Sequence, residues 1–242
     1  MDQESLRQVS EQLREGSWFG ALPAELQQRM LARANVRRYA KGQVVSLEGR
    51  VPPGLFCVLE GQVKVVRFTE AGDEALVYVG GPGFWFAEYA WLMNATAIVS
   101  FIARSPAKIL LVGRADLDRI VDEEPRYFRD LARLAVLRSA VYLRAFVHVA
   151  SLAPDRRLLG QLALLTQLRM QEQAPDQPVD LPVSQVDLAA IVGLTRQTIS
   201  PLIKALVDAG RIELRFRHIR VPDPRALCDL DSPRAAHDRR SA

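Results

Sequence analysis

The sequence predicts an α+β fold: an N-terminal antiparallel β-roll, then a long helix, then a C-terminal winged helix-turn-helix. Three observations carry this prediction. Between Arg37 and Leu111, short β-branched runs are punctuated by Gly42, Gly49, Gly54, Gly61, Gly72 and Gly80, the rhythm of hairpin turns in an antiparallel roll or barrel. Arg126 to Val149 contains neither glycine nor proline, so nothing in it interrupts a helix. From Val183 to Val221 a helix start, a glycine turn, a second helix and a basic alternating stretch follow in order. A chain of 242 residues, 49% of them hydrophobic, is long enough to bury the cores such a fold needs.

Taken in order, residues 1–125 are expected to form the roll with a helical lead-in, 126–150 a dimerisation helix, 151–222 the winged helix-turn-helix domain and 223–242 a flexible tail. The lead-in, to about Val36, places Glu25, Leu26, Met30 and Leu31 at helical spacing after Leu22-Pro23. In the roll, Gln62-Val63-Lys64-Val65 alternates as a half-buried strand does. Phe84 to Ala103 has Glu88 as its only charge and matches a membrane span in length. It follows the breakers Gly80-Gly81-Pro82-Gly83 and carries Asn94, Thr96 and Ser100, so it is read as buried β structure, with no membrane partner.

After a short helix over Asp116–Val121, Pro125 restarts a helix whose Leu131, Ala135, Arg138, Tyr142, Ala145 and Val149 share one face, and Leu134, Leu137, Val141 and His148 the next. A helix apolar on two sides needs two partners, expected to be its own roll and a second copy of itself. Leu131, Leu134, Arg138, Val141, Tyr142, Ala145 and Val149 are the expected homodimer contacts. Beyond Pro154 a further helix is predicted to about Met170, and Gln171–Asp180, with Pro175 and Pro178, is read as a loop.

Function concentrates in the last third. Ser184 with Asp187 is a capping-box pattern. Gly193-Leu194-Thr195 supplies a turn, an interhelical plug and a cap for the next helix. In that helix Ile199, Leu202, Ile203 and Leu206 point one way, leaving Arg196, Gln197, Ser200 and Lys204 outward. Side chains near the start of such a helix read base edges in the major groove of double-stranded DNA. Arginine matches guanine O6/N7 and glutamine matches adenine N6/N7. Arg211 to Val221 alternates like a hairpin wing, and six basic residues stand against two acidic ones between Arg196 and Arg220, a charge suited to phosphates and to salt-sensitive binding.

Several of these stretches resemble the cyclic-AMP receptor protein/Fnr family, from residue 18 to about residue 222. They are Trp18-Phe19-Gly20-Ala21-Leu22-Pro23, Tyr39-Ala40-Lys41-Gly42-Gln43-Val44-Val45 with Glu48-Gly49, Leu55 to Val65, and Ile191-Val192-Gly193-Leu194-Thr195-Arg196-Gln197-Thr198-Ile199-Ser200. The resemblance implies a cyclic-nucleotide-binding-like roll and a dimeric, bacterial, cytoplasmic transcriptional regulator that works with RNA polymerase. Arg196, Gln197 and Ser200 inherit base reading, while Thr195, Thr198, Lys204, Arg215 and Arg217 fall to phosphates. Pro201 stands where the family usually has a base-contacting arginine, and is expected to remove a backbone donor and to kink the helix.

The sensor departs further from the family. Nucleotide binders carry a Gly-Glu pair and then Arg-Ser or Arg-Thr around the phosphate and ribose. Here the segment reads Phe86-Ala87-Glu88, then Ala95-Thr96-Ala97-Ile98, and no arginine lies between Arg67 and Arg104. A buried phosphate without a cation is costly, and Tyr142-Leu143 replaces the hydroxyl residues of cyclic-AMP binders, so cyclic AMP is not the expected ligand. Phe86, Glu88, Tyr89, Trp91 and Tyr142 mark the effector pocket, either open to an apolar effector or filled by its own side chains.

Other sensing chemistry and rival functions have less support. An iron-sulfur cluster needs several N-terminal cysteines, whereas the chain has Cys57 and Cys228 alone. This scarcity also argues against a disulfide scaffold and for a reducing cytoplasm, and Met1 to Arg14 shows no secretory signal. Haem would rest on His148, a lone histidine on an apolar helix. No cofactor is therefore assigned. No metal site or enzyme is expected, because no histidine precedes His148 to build a cupin centre or a hydrolase pair. A scaffold whose helical domain binds protein is the remaining alternative; a net +4 permits nucleic acid without requiring it.

Overall fold

The computed structural model describes residues 9–13, 17–70, 72, 74–151, 153–170, 177–216 and 218–230; the side chains of residues 141, 145, 149–151 and 230 lie outside that description. Residues up to Leu137 and residues from Arg138 onward form two compact units.

In the first unit, helices α1 (Ser17–Gly20) and α2 (Ala24–Ala32) precede eight strands: β1 (Asn35–Tyr39), β2 (Val44–Ser46), β3 (Gly54–Glu60), β4 (Val63–Phe68), β5 (Glu74–Gly80), β6 (Trp85–Phe86), β7 (Ser100–Ala103) and β8 (Ala107–Gly113). They make two four-stranded sheets ordered β1-β8-β3-β6 and β2-β7-β4-β5, with every pairing among the described residues antiparallel. Helix α3 (Glu88–Leu92) interrupts the second half of the roll, and α4 (Arg114–Glu123) follows it.

Strand β3 shows why part of the roll reads as continuous hydrophobic sequence instead of an alternation. All of it but Glu60 is buried, because it is covered on both sides. Leu55, Cys57 and Leu59 join Trp85, Leu110 and Val112 in a core with Phe19, Leu26, Met30, Leu117 and Tyr127 from the helices. Phe56 points the other way, between the sheets, and stacks on Phe86, its register partner. The start of the long helix α5 (Tyr127–Ser151) is tied to α2 where the Tyr127 hydroxyl donates to Glu25 at 2.8 Å. That bond and the one from Arg29 hold the Glu25 carboxyl below its ordinary pKa, while burial and the same bond push the Tyr127 hydroxyl up.

In the second unit α6 (Pro154–Met170) is followed by β9 (Val179–Leu181), α7 (Gln185–Val192), α8 (Arg196–Asp208), β10 (Glu213–Arg215), β11 (His218–Val221) and α9 (Pro224–Leu230). The strands form one antiparallel sheet ordered β10-β11-β9. Among the described residues no helix is long and apolar enough to cross a membrane.

Three expectations need correction. Phe84 to Ala103 is not all β: Glu88–Leu92 is helical, launched by Ala87 in a left-handed conformation (φ 73°). The supposed loop ending at Asp180 closes with β9, whose Val179 and Leu181 are buried against β11 while Asp180 faces out. The tail is not wholly irregular, since 224–230 is a helix. Pro224 stands at the first helical position, where a missing N–H loses nothing. Asp223 accepts the Ala226 N–H at 2.9 Å, Leu227 is buried and Cys228 Sγ lies 3.7 Å from the Ala163 carbonyl of α6.

Candidate nucleic-acid interface

The helix-turn-helix is assembled by local hydrogen bonds that the sequence specifies. Ser184 Oγ accepts the Asp187 N–H at 3.2 Å, and the Asp187 carboxylate accepts the Ser184 N–H at 2.7 Å, closing a complete capping box at the start of α7. Gly193 ends that helix with φ 65° and ψ 36°, a conformation a β-carbon would penalise. Thr195 then caps α8: its hydroxyl accepts the Thr198 N–H at 3.2 Å and lies 2.9 Å from the Thr198 hydroxyl.

Helix α8 is two-sided. Ile199 and Ile203 are fully buried, Leu202 and Leu206 half-buried, and Thr195, Arg196, Gln197, Thr198, Ser200 and Lys204 all exposed. Three side chains with base-reading chemistry and two hydroxyls therefore stand together at the open, electropositive N-terminal end of one helix. Pro201 is exposed on the same side, and the helix continues through it to Asp208. Proline removes one donor here, leaving the Gln197 carbonyl without its usual partner.

In the wing, Ile212, Ile219 and Val221 are buried as anchors. Arg215 is exposed but paired with Glu213 at 2.6 Å. Arg220 reaches Asp180 at 3.4 Å, a partner that the loop reading of 171–180 concealed. Arg196, Lys204 and Arg211 have no ion-pair partner among the described residues, so the charge open to phosphates is concentrated on α8 and its exit. Arg217 lies outside the described residues.

Within the first unit, the expected effector-pocket residues Phe86, Glu88, Tyr89 and Trp91 face different surroundings. Phe86 is the centre of a stack filling the space between the sheets, with ring centroids 5.1 Å from Phe56, 5.4 Å from Phe84 and 4.5 Å from Phe101; Tyr78 adds to it at 5.2 Å from Phe84. Trp91 faces the helical core instead and donates its indole N–H to Asp118 at 2.8 Å. Glu88 is buried, while Tyr89 and Tyr142 are exposed. The segment 95–98 offers no cation. The rings of Phe56, Phe84, Phe86 and Phe101 pack against one another between the sheets. His148, the candidate haem ligand, lies against Gly160 of α6, where an added β-carbon would come within 2.3 Å of Nδ1.

The expected dimer face also needs correction. Leu131, Leu134 and Arg138 are buried within the chain itself, and the side chains of Val141, Ala145 and Val149 lie outside the described set. Half a turn away, Val136 is 67% exposed, Leu143 66%, and Ala140 and Val147 are exposed on the same stripe, with Phe146 at 70% and Tyr142 beside it. The exposed Val136-Ala140-Leu143-Val147 stripe belongs to neither of the two apolar faces read from periodicity, while Tyr142, which belongs to one of them, is exposed.

Residues 36–124 match the family pattern of the cyclic nucleotide-binding domain, and residues 157–230 that of the Crp-like helix-turn-helix domain. The chain belongs to the Crp/Fnr family of transcriptional regulators. It is 27% identical to the cyclic AMP receptor protein of Thermus thermophilus over 74% of this chain and 79% of that protein. It is 22% identical to the nitrogen fixation regulation protein FixK of Bradyrhizobium diazoefficiens over 77% of each. The solved structure of FixK2 from Bradyrhizobium japonicum shares the fold, with a TM-score of 0.67 and 18% identity over 82% of this chain and 98% of that one. This Crp/Fnr protein is thus a DNA-binding transcriptional regulator with an antiparallel cyclic-nucleotide-binding-like roll.

Proposed function

We propose that the regulator reads operator DNA as a homodimer without requiring cyclic AMP. Arg196, Gln197 and Ser200 of each copy face base edges, and Thr195, Thr198, Lys204, Arg215 and Arg217 face phosphates. The observation carrying this reading is the division of α8: its apolar side is sealed by Ile199 and Ile203, and the polar residues of its first turns are all exposed. The Val136-Ala140-Leu143-Val147 stripe of α5, with Phe146, is the dimer seam; an apolar stripe of that kind on a surface helix is costly to leave in water. Two copies then place their recognition helices about 34 Å apart, in successive major grooves.

Independence from cyclic AMP is supported by the aromatic filling of the roll and by a sequence with no arginine between Arg67 and Arg104. DNA binding, not catalysis, is the activity. Two cysteines outside any disulfide suit a reducing cytoplasm, and RNA polymerase is the protein partner on which such a regulator acts.

The test uses a duplex selected from a random pool by the unmodified protein. Arg196→Ala should weaken binding to it by about 1–3 kcal/mol while barely changing binding to unrelated DNA, and footprints should show two half-sites one helical turn apart. Equal losses on both DNAs would refute base reading by Arg196.

A further inference from the structure

The most exposed large hydrophobic side chain among the described residues is Phe216, 87% accessible, at the start of the turn joining β10 to β11. We infer that Phe216 is a minor-groove wedge that contacts DNA beside each half-site; this rests on the DNA-reading role of α8 proposed above.

The backbone that carries this ring is fixed. Arg215 and His218 are register partners on either side of the turn, and His218 Nδ1 lies 3.0 Å from the Phe216 carbonyl oxygen. Behind them Ile219 and Val221 are buried, and β11 is paired on its other side with β9. The ring therefore projects from a braced hairpin. Its position is set relative to the recognition helix as well, because the wing begins at Glu213, five residues after α8 ends at Asp208.

Chemistry selects the occupant. Between Arg211 and Arg220 the wing carries four arginines and one glutamate; even with Arg215 paired to Glu213 and Arg220 to Asp180 it keeps a net positive charge, which complements nucleic acid better than an apolar protein groove. A benzyl group offers phosphate no hydrogen bond. The minor groove offers it deoxyribose walls and base edges, and phenylalanine is among the side chains that wedge between base steps there. With α8 in the major groove, the groove beside it across one phosphate backbone is the minor groove, and the hairpin begins five residues after α8 ends.

The experiment compares the full-length unmodified protein, Phe216→Ala and Phe216→Trp on the selected duplex, by affinity over a salt series and by hydroxyl-radical footprinting. Phe216→Ala should bind about tenfold more weakly at fixed salt, the loss expected when one aromatic contact with a base is removed. Its salt slope should be unchanged, since no charge is lost, and protection in the minor groove flanking each half-site should disappear. Phe216→Trp should retain both affinity and protection. An Ala variant with unaltered affinity and footprint overturns the wedge, including when transcription activation alone falls, which would assign Phe216 to a protein contact. If the unmodified protein gives no footprint on any duplex, the DNA-reading role of α8 fails as well, so the two failures are distinguishable.

Discussion

The β-roll and the helix-turn-helix spend their hydrophobic residues in opposite ways. In the roll, β3 and β6 are buried on both faces and the space between the sheets is packed by Phe56, Phe84, Phe86 and Phe101. In the second unit α8 buries one side and leaves the other polar and open. The contrast teaches that one chain spends its aromatic residues on its own interior in the roll and leaves a polar helix face open in the second unit. The roll has the antiparallel sheets of a cyclic-nucleotide-binding-like domain, with its own aromatic rings packed between them. The DNA-binding helix keeps an unfilled surface that needs a partner.

The sharpest way to break the comparison is to cut the stack. Phe86→Ala should cost about 3–5 kcal/mol in chemical denaturation, because a ring in contact with three others leaves a cavity that packed neighbours cannot collapse into. A loss under about 1 kcal/mol would mean the interior is loosely filled and able to accept a ligand.

A finer comparison sets two helix starts against each other. Thr195 caps α8 with its hydroxyl, so Thr195→Ala should lower stability by about 1 kcal/mol. Ala87 holds the equivalent place before α3 with no side-chain cap and a φ of 73°, a strained choice for any residue with a β-carbon. Ala87→Gly should raise stability by about 0.5 kcal/mol, strain relief outweighing the added freedom of the unfolded chain. The same denaturation series checks both, and a stabilising Thr195→Ala or a destabilising Ala87→Gly would contradict the local accounts.

What the sequence made legible follows from how local each determinant is. The capping box at Ser184, the glycine at 193 and the Thr195 cap depend on neighbours within four residues, and they form as read. The exposed face of α8 was legible for the same reason, through the i, i+3, i+4 positions of Ile199, Leu202 and Ile203. The covered side of α5 was not, because Leu131 and Val136 are both apolar and only long-range packing decides which meets the roll. The pocket residues Phe86 and Trp91 separated for a similar reason: β6 and α3 turn them toward different cores, a change of direction that follows from Ala87. Strand β9 escaped because three residues between prolines and a polar linker carry too little periodicity, and the Arg220–Asp180 pair was hidden with it.

The most direct test of the central claim, a closed sensor joined to an open DNA-reading helix, is titration of the selected duplex with the full-length protein over a salt series, with and without cyclic AMP. The predicted result is operator binding of the same affinity in both conditions, falling steeply as salt rises. Binding that appears only when cyclic AMP is added would contradict it.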